Sequence, residues 1–188
     1  MAGEMYMDRA EALELVKGHV CKESNLKHMV AVGAVMRQAA LRLGEDPEQW
    51  EVTGILHDLD FEECHGMQDH ALIARDLLQG KVPDEMVQAI LAHNHEATGV
   101  PVDNQLKRAL LSADAVSGLV IACALVLPSK KLVDVKVSSI AKKFGNKDFA
   151  RGVDRGRIMV CEQLGMPRDE FLSVALEGMR LRADELGL

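Results

Sequence analysis

Helix start and stop signals divide this sequence into short segments. Asp46-Pro47 places a proline in the position that a first helical turn accepts. Gly44 and Gly80 each follow an apolar segment and are typical of helix ends, and Pro128 interrupts the longest such segment. The predicted helices are 8–21, 24–43, 46–59, 70–79, 83–93, 104–127, 135–144, 149–164 and 167–186, with Ser24, Asp69 and Asp103 as N-caps.

The apolar residues that are available for a core favour packed helices. They make up 48% of the 188 residues, while aromatic residues make up only 3%. The core must therefore consist mostly of Leu, Val, Ala, Ile and Met, whereas β-sheets favour aromatic and β-branched residues. Strand-like alternation occurs only in V-D-V-K-V at 133–137, which is too short for a sheet. No linker-like change in composition interrupts the chain, so we predict an all-α fold with a single domain, residues 1–188.

Charge and hydropathy argue against several classes of partner. A net charge of −7 disfavours general binding to nucleic acid or anionic membranes, and the scarcity of aromatic residues disfavours stacking on single strands. The longest apolar run, 115–127, has 13 residues, whereas a membrane span needs about 20. The four cysteines form no C-x-x-C pair and residues 1–10 lack a signal-peptide pattern, which predicts a cytoplasmic protein.

Histidine and aspartate interrupt the apolar segments at several points. In G-I-L-H-D-L-D, residues 54–60, both end an apolar run, and Asp114 lies within L-L-S-A-D-A-V. A buried carboxylate is tolerable only when it is paired or bound to a metal. A lone histidine beside apolar residues is more often a core or capping residue, but six residues from five predicted helices share this placement. They are His28, His57, Asp58, His70, His93 and Asp114.

Imidazole and carboxylate groups together are typical ligands of transition metals. Neutral imidazole nitrogens and carboxylate oxygens bind zinc, iron, manganese or cobalt at about 2.0–2.2 Å. Adjacent positions on a helix diverge by about 100°, so His57 can bind one metal while Asp58 is shared with a second. Two cations that share a carboxylate can both polarise one hydroxide, which is a nucleophile available at neutral pH.

The order of these residues resembles that of the HD-domain superfamily of metal-dependent phosphohydrolases. The H…HD…D signature matches His28 in N-L-K-H-M, His57-Asp58 in G-I-L-H-D-L-D and Asp114 in A-L-L-S-A-D-A-V. His70 in Q-D-H-A-L-I-A-R-D-L-L and His93 in Q-A-I-L-A-H-N-H-E resemble the added ligands of the longer H…HD…H…H…D form. Either added histidine also has a purely structural interpretation, in a first helical turn or at a helix C-terminus.

The resemblance implies a fold, a cofactor and a reaction. It covers residues 20–127 as the metal-binding core of a helical bundle, with further helices at 129–188. The resemblance implies a divalent transition metal, which is Fe, Mn, Zn, Ni or Co. Two such metals are implied if all six residues are ligands. The implied activity is hydrolysis of a phosphomonoester or phosphodiester, in a nucleotide or another small phosphorylated molecule, by a metal-bound hydroxide. Two alternatives are a di-iron oxygenase of this superfamily, such as myo-inositol oxygenase, and a non-catalytic sensor or scaffold.

Residues close to the motifs leave further alternatives open. H-N-H-E resembles a consecutive-histidine motif of some members, so the role of His95 is ambiguous. A-T-G-V-P replaces the G-Y-P element of the cyclic-di-GMP phosphodiesterases in this superfamily, which disfavours that substrate. Asp60 and Glu62 are candidate catalytic residues that orient a ligand imidazole or transfer a proton, or else solvated loop acids. Glu96 has the same two interpretations.

A locally basic segment follows the predicted metal-binding core. Residues 129–157 carry nine Lys or Arg against three Asp, whereas the rest of the chain is strongly acidic. This segment either binds a substrate phosphate near the metals or forms a solvated helix face. The candidate substrate-binding residues are Lys142, Lys143, Lys147, Arg151 and Arg155.

The sequence predicts that metal content depends on Asp58. Protein purified without oxygen should contain about two transition metals per chain by elemental analysis, and Asp58→Ala should lose them because the shared carboxylate is removed. One metal in the wild-type chain would reduce His70 and His93 to supporting roles. An Asp58→Ala variant that keeps both its metals and its activity would contradict the six-ligand interpretation.

Overall fold

The computed structural model describes residues 7–188, which form an all-α bundle with no β-strand in that range. Residues 1–6, part of the stretch that predicts the absence of a signal peptide, lie outside the described residues. The helices are α1 Arg9–His19, α2 Glu23–Leu43, α3 Pro47–Leu56, α4 Leu72–Leu78, α5 Asp84–His93, α6 His95–Thr98, α7 Gln105–Leu125, α8 Val137–Phe144, α9 Arg155–Met159, α10 Arg168–Arg180 and α11 Ala183–Leu186, with 3₁₀ turns at Leu132–Asp134 and Val160–Leu164.

Local signals set several helix ends as predicted. The side chain of Asp46 accepts hydrogen bonds from the backbone N–H groups of Glu48 and Gln49, which caps α3. Gly44 ends α2 in the left-handed conformation, at φ 78°, which glycine adopts without a steric penalty. The start of α3 and the end of α2 are therefore confirmed.

The three predicted N-caps are wrong by one to two positions. Ser24 lies inside the first turn of α2. Asn104 rather than Asp103 caps α7, because Asn104 is the residue with extended backbone and its side chain accepts a backbone N–H of the first turn. The N-cap position of α4 is Ala71, not Asp69. Which polar residue caps a helix depends on backbone angles that the sequence does not show.

Two residues in the left-handed conformation shorten predicted helices. Ala71 has φ 71°, so α4 begins at Leu72 and His70 lies in the turn before it, not in the helix. Ala150 has φ 47°, and α9 begins only at Arg155. A non-glycine residue at positive φ interrupts the helical path, so both segments start later than their composition predicts.

Aliphatic side chains fill the space between the helices, as the composition predicts. α2 packs against α3, α7 and α10, while α7 also packs against α5 and α9. The aromatic rings of Trp50 and Phe171 are buried in the same cluster. The two 21-residue helices, α2 and α7, thus pass through the core and carry His28 and Asp114 with them.

Helix α7 is long and apolar enough to cross a membrane by length and composition. Its 18-residue window has a mean hydropathy of 1.6, and 67% of that window is buried within the protein. Other helices cover most of its apolar residues. This burial supports the predicted core helix as far as Ala124, whereas the helix ends at Leu125 and both Leu125 and Val126 are exposed. The absence of a membrane partner stays a prediction.

Glycines allow α2 to approach two other helices closely. A Cβ atom on Gly54 of α3 would lie 2.7 Å from Cα of Gly33 in α2, which is closer than two carbon atoms can pack. A Cβ atom on Gly178 of α10 would meet the backbone carbonyl of Ala34, the next residue of α2. The contact between α2 and α3 fixes where the end of α3, and with it the His57-Asp58 pair, lies relative to α2.

Gly54→Ala should destabilise the protein, because the added methyl group collides with the backbone of α2 and pushes α3 outward. Overpacking of this kind costs about 1–3 kcal/mol in the free energy of unfolding, measured by urea denaturation. Gly18→Ala is the matched control, since Gly18 is an exposed residue of α1 with open space around its Cα. That variant should gain up to about 1 kcal/mol from helix propensity. Equal stability of Gly54→Ala and wild type would contradict this close packing.

Candidate metal centre

Four imidazoles and two carboxylates converge where α2, α3, α5 and α7 meet. Nε2 of each of the four histidines lies within 4.0 Å of a carboxylate oxygen of one of the two aspartates. His28 lies in α2, His57 and Asp58 directly follow α3, His70 precedes α4, His93 ends α5 and Asp114 lies in α7. The structure therefore brings together all six residues that the sequence predicts as metal ligands.

Asp58 lies at the centre of this cluster, and its two oxygens face different histidines. Oδ1 lies 3.3 Å from Nε2 of both His57 and His70, and 3.5 Å from Nε2 of His93. Oδ2 lies 3.6 Å from Nε2 of His28. A carboxylate placed in this way can be shared between two cations.

Two overlapping groups of ligand atoms are close enough to hold a metal. The ligand atoms of His28, His57 and Asp114 lie within 4.8 Å of one another, and so do those of His57, Asp58 and His93. Oδ1 of Asp114 is 3.2 Å from Nε2 of His28 and 3.9 Å from Nε2 of His57. His57 therefore faces both carboxylates.

The helix backbone orients two of the imidazoles. Nδ1–H of His57 donates to the carbonyl oxygen of Gly54 at 2.8 Å, and Nδ1–H of His93 donates to the carbonyl oxygen of Ile90. A carbonyl oxygen only accepts, so Nδ1 carries the proton in both rings and Nε2 of a neutral ring carries the lone pair. Both lone pairs point into the cluster.

Side chains orient the other two imidazoles. Nδ1 of His70 lies 2.8 Å from Oδ1 of Asp60, and Nδ1 of His28 lies 3.3 Å from the hydroxyl of Ser117. A hydrogen bond at the second ring nitrogen is the usual means by which proteins fix the tautomer and direction of a metal-binding histidine. All four rings thus present Nε2 to the same space.

One buried ring nitrogen shows that the residues fit a metal. His57 is 0% exposed, and its Nε2 has no hydrogen-bond partner among residues 7–188. Burial lowers the pKa of His57 to about 4, so the ring is neutral near pH 7 and the lone pair is available. A buried polar atom without a partner is costly, and a cation held by His57 and the carboxylates would remove that cost.

Nε2 atoms of His70 and His93 lie only 2.9 Å apart. Because both rings carry a proton on Nδ1, two neutral rings would point lone pairs at each other. Burial lowers the pKa of His70, but the hydrogen bonds to Asp58 and Asp60 outweigh burial and raise it to about 10. A proton between the two nitrogens therefore resolves the conflict in the protein alone, and a cation can replace that proton.

The imidazoles also keep both carboxylates ionised. Burial by itself would raise the pKa of Asp58, but the adjacent His57 and the hydrogen bond from His70 hold it well below its usual range. Burial would likewise raise the pKa of Asp114, and the hydrogen bond from His28 lowers it instead. The donor set thus consists of ionised carboxylates and of imidazoles whose protons a cation can replace, which suits divalent transition metals.

The family model described as HD domain matches residues 25–118, which is half of the chain and includes all six cluster residues. This chain belongs to the HD-domain family. HD domains bind divalent metals, and most are metal-dependent phosphohydrolases. No curated protein and no solved structure matches the chain.

Asp60 of this HD domain positions a histidine and does not face the centre of the cluster. Its carboxylate is fully buried, and Oδ1 holds Nδ1 of His70 while Oδ2 accepts the backbone N–H of Ala74 at 2.9 Å. Asp60 therefore lies behind His70. The predicted role of orienting an imidazole agrees with this contact, while the alternative role in proton transfer stays a prediction.

Glu62 serves the start of α2. Its carboxylate accepts the backbone N–H groups of Cys21 and Lys22, at 3.1 and 2.9 Å, and the side-chain amide of Asn25 at 2.9 Å. These contacts hold the segment that leads into α2. They give no support to the prediction that Glu62 is catalytic.

Most of the predicted phosphate-binding residues contact their own segment. Arg155 donates to the carbonyl oxygens of Ala150 and Val153, at 2.6 and 2.8 Å, so its guanidinium holds the turn before α9. The ammonium of Lys143 lies 4.4 Å from the ring centre of Phe149. The predicted phosphate-binding set consists of Lys142, Lys143, Lys147, Arg151 and Arg155. No hydrogen bond or ion pair within residues 7–188 joins this set to the metal cluster. The contacts of Arg155 give its guanidinium a structural role, and phosphate binding by all five residues stays a prediction without a supporting contact.

Arg157 is the basic residue that does reach the cluster. Its Nη1 donates to the carbonyl oxygen of His93 at 3.2 Å and lies 3.9 Å from Oδ2 of Asp114. Its Nη2 lies 3.3 Å from Oε2 of Glu96. Packing of α9 on α7 places this guanidinium, and no local sequence signal separates it from its basic neighbours.

His95 lies apart from the metal cluster, along a different cavity.

Asp60→Asn should weaken metal binding at the His70 side of the cluster. The amide removes the negative charge that holds the imidazole, and losing such a partner costs about 10–100-fold in metal affinity. Competition of the metal-loaded protein with a chelator measures this loss. Glu63→Gln is the control, because the Glu63 carboxylate is in the same loop but pairs with His19 at 2.6 Å, at the surface. Unchanged metal affinity in Asp60→Asn would remove Asp60 from the site.

Proposed function

We propose that this HD domain is a metal-dependent phosphohydrolase that acts on a phosphomonoester or phosphodiester of a small molecule such as a nucleotide. The observation that carries the proposal is the position of Asp58, whose two oxygens face two different sets of imidazoles. Membership of a family that consists mostly of such hydrolases supports it.

The proposed ligands divide around Asp58. His28, His57 and Asp114 would hold one metal, while His70 and His93 would hold a second, with the Asp58 carboxylate shared. Bound divalent metals supply Lewis acidity toward phosphoryl oxygens and make water a nucleophile at neutral pH. The donor set suits Fe, Mn, Zn, Ni and Co alike, so two metals of this group are proposed without choosing among them.

The exposure of the cluster indicates where the substrate approaches. His57, His70 and His93 are buried, whereas the side chains of His28 and Asp114 are 27% and 24% exposed. A cavity of about 380 Å³ borders Asp114 on this side, within the range of about 300–1,000 Å³ that is typical of small-molecule sites. We infer that a small phosphorylated substrate enters from the side of His28 and Asp114.

The two alternative functions make different demands on the cluster. A scaffold without activity has no need for converging ligands, and here all six converge. A di-iron oxygenase would use the same donor set, so the reaction must be measured. We also propose that the protein is cytoplasmic and has no nucleic-acid or membrane partner. This part of the proposal is supported by the sequence composition alone.

Metal-loaded protein should hydrolyse p-nitrophenyl phosphate or its diester without oxygen, and release of nitrophenol measures the rate. Asp114→Asn should lower kcat by about 100-fold or more, because it removes an ionised ligand. Glu62→Gln is the control and should keep kcat close to wild type, because Glu62 contacts the start of α2.

The metal series decides between the reactions. Hydrolysis with manganese, zinc, nickel or cobalt in the absence of oxygen supports the hydrolase. An iron-loaded protein that hydrolyses neither ester but consumes oxygen with a polyol or phosphonate would replace the hydrolase with the oxygenase.

A further inference from the structure

Arg157 holds its charge beside the metal cluster with unused hydrogen-bonding capacity. Its side chain is 21% exposed, and Nη1 lies 3.9 Å from Oδ2 of Asp114, which is beyond hydrogen-bonding distance. Its bond to the carbonyl oxygen of His93 sets the position of the guanidinium at the end of α5. The side chain is thus held near the cluster without being fully paired by it.

The remaining partner of Arg157 is easily displaced. Glu96 pairs with Nη2 at 3.3 Å, and the Glu96 side chain is 71% exposed. An exposed ion pair of this kind contributes little to stability in water. A guanidinium binds two oxygens of a phosphate at once, through charge-assisted hydrogen bonds that are stronger than this pair.

The cavity beside the cluster connects these groups. Its lining includes Asp114, Glu96 and Arg157, together with Gly118 and Gly152, which add no side chain to its wall. A ligand in this cavity therefore contacts a metal-ligand carboxylate and a guanidinium together. An anionic group held beside Asp114 would therefore lie within reach of Arg157.

We propose that Arg157 binds the phosphate group of the substrate and that Glu96 is a counter-ion which the phosphate displaces. The identity of the ligand as phosphate rests on the phosphohydrolase function proposed above. The location of the anion-binding group rests on the contacts of Arg157 and on the cavity.

Binding of inorganic phosphate to the metal-loaded full chain tests this role without turnover. Arg157→Gln should weaken phosphate binding in calorimetry by about tenfold or more, as expected for a charge-assisted hydrogen bond, while metal content per chain stays unchanged. Glu96→Gln should tighten phosphate binding by about two- to fivefold, because the competing ion pair is removed. Arg42→Gln is the matched control and should change nothing, since the Arg42 guanidinium is 60% exposed and pairs with Glu170 at a different cavity.

The outcomes separate this proposal from the proposed function. Unchanged phosphate affinity in Arg157→Gln overturns the role of Arg157, even if phosphoester hydrolysis is found. Phosphate binding that needs Arg157 in a protein without esterase activity supports the role and rejects the function. If Arg157→Gln loses metal or stability, the test is the phosphate affinity of Glu96→Gln. Phosphate binding in Glu96→Gln that is unchanged or weaker than in the wild type overturns the proposal. A wild-type protein that binds no phosphate overturns it as well.

Discussion

The carboxylate of Asp58 lies among four imidazoles, with one oxygen toward His28 and the other toward His57, His70 and His93. It is 9% exposed, and an ionised carboxylate at that depth is stable only beside positive charge. The protein alone supplies this charge as protons on imidazoles, and a metal supplies it more directly. The elements that carry these histidines must therefore meet at Asp58, which constrains the arrangement of α2, α3, α5 and the turn before α4.

Two different means direct the imidazoles at this point. His57 and His93 end their helices and donate to carbonyl oxygens one turn back, so the helix itself sets the direction of the ring. His70 lies outside a helix and depends on Asp60, which is buried behind it. The first arrangement survives wherever the helix forms. The second needs a loop folded so that a carboxylate is buried against a particular ring, which makes that side of the cluster the more dependent on tertiary structure.

Close helix packing gives the cluster a closed side and an open side. Gly33 and Gly54 let α2 and α3 touch backbone to backbone, which holds the His57-Asp58 pair deep in the core. The opposite side, near Asp114, borders a cavity and the guanidinium of Arg157. This asymmetry agrees with a site in which metals are held in a dry interior while an anionic substrate approaches from one direction.

The sequence by itself determined the helical class and the six converging residues, because helix signals are local and because histidine and aspartate are conspicuous inside apolar segments. Only the tertiary structure decided the roles of their neighbours. Asp60 and Glu62 are two residues apart, yet one fixes an imidazole and the other accepts backbone N–H groups just before α2. Arg155 holds its own turn while Arg157 reaches the cluster. Spacing along the chain cannot separate such pairs, since the partner of each charge comes from a distant segment brought close by helix packing.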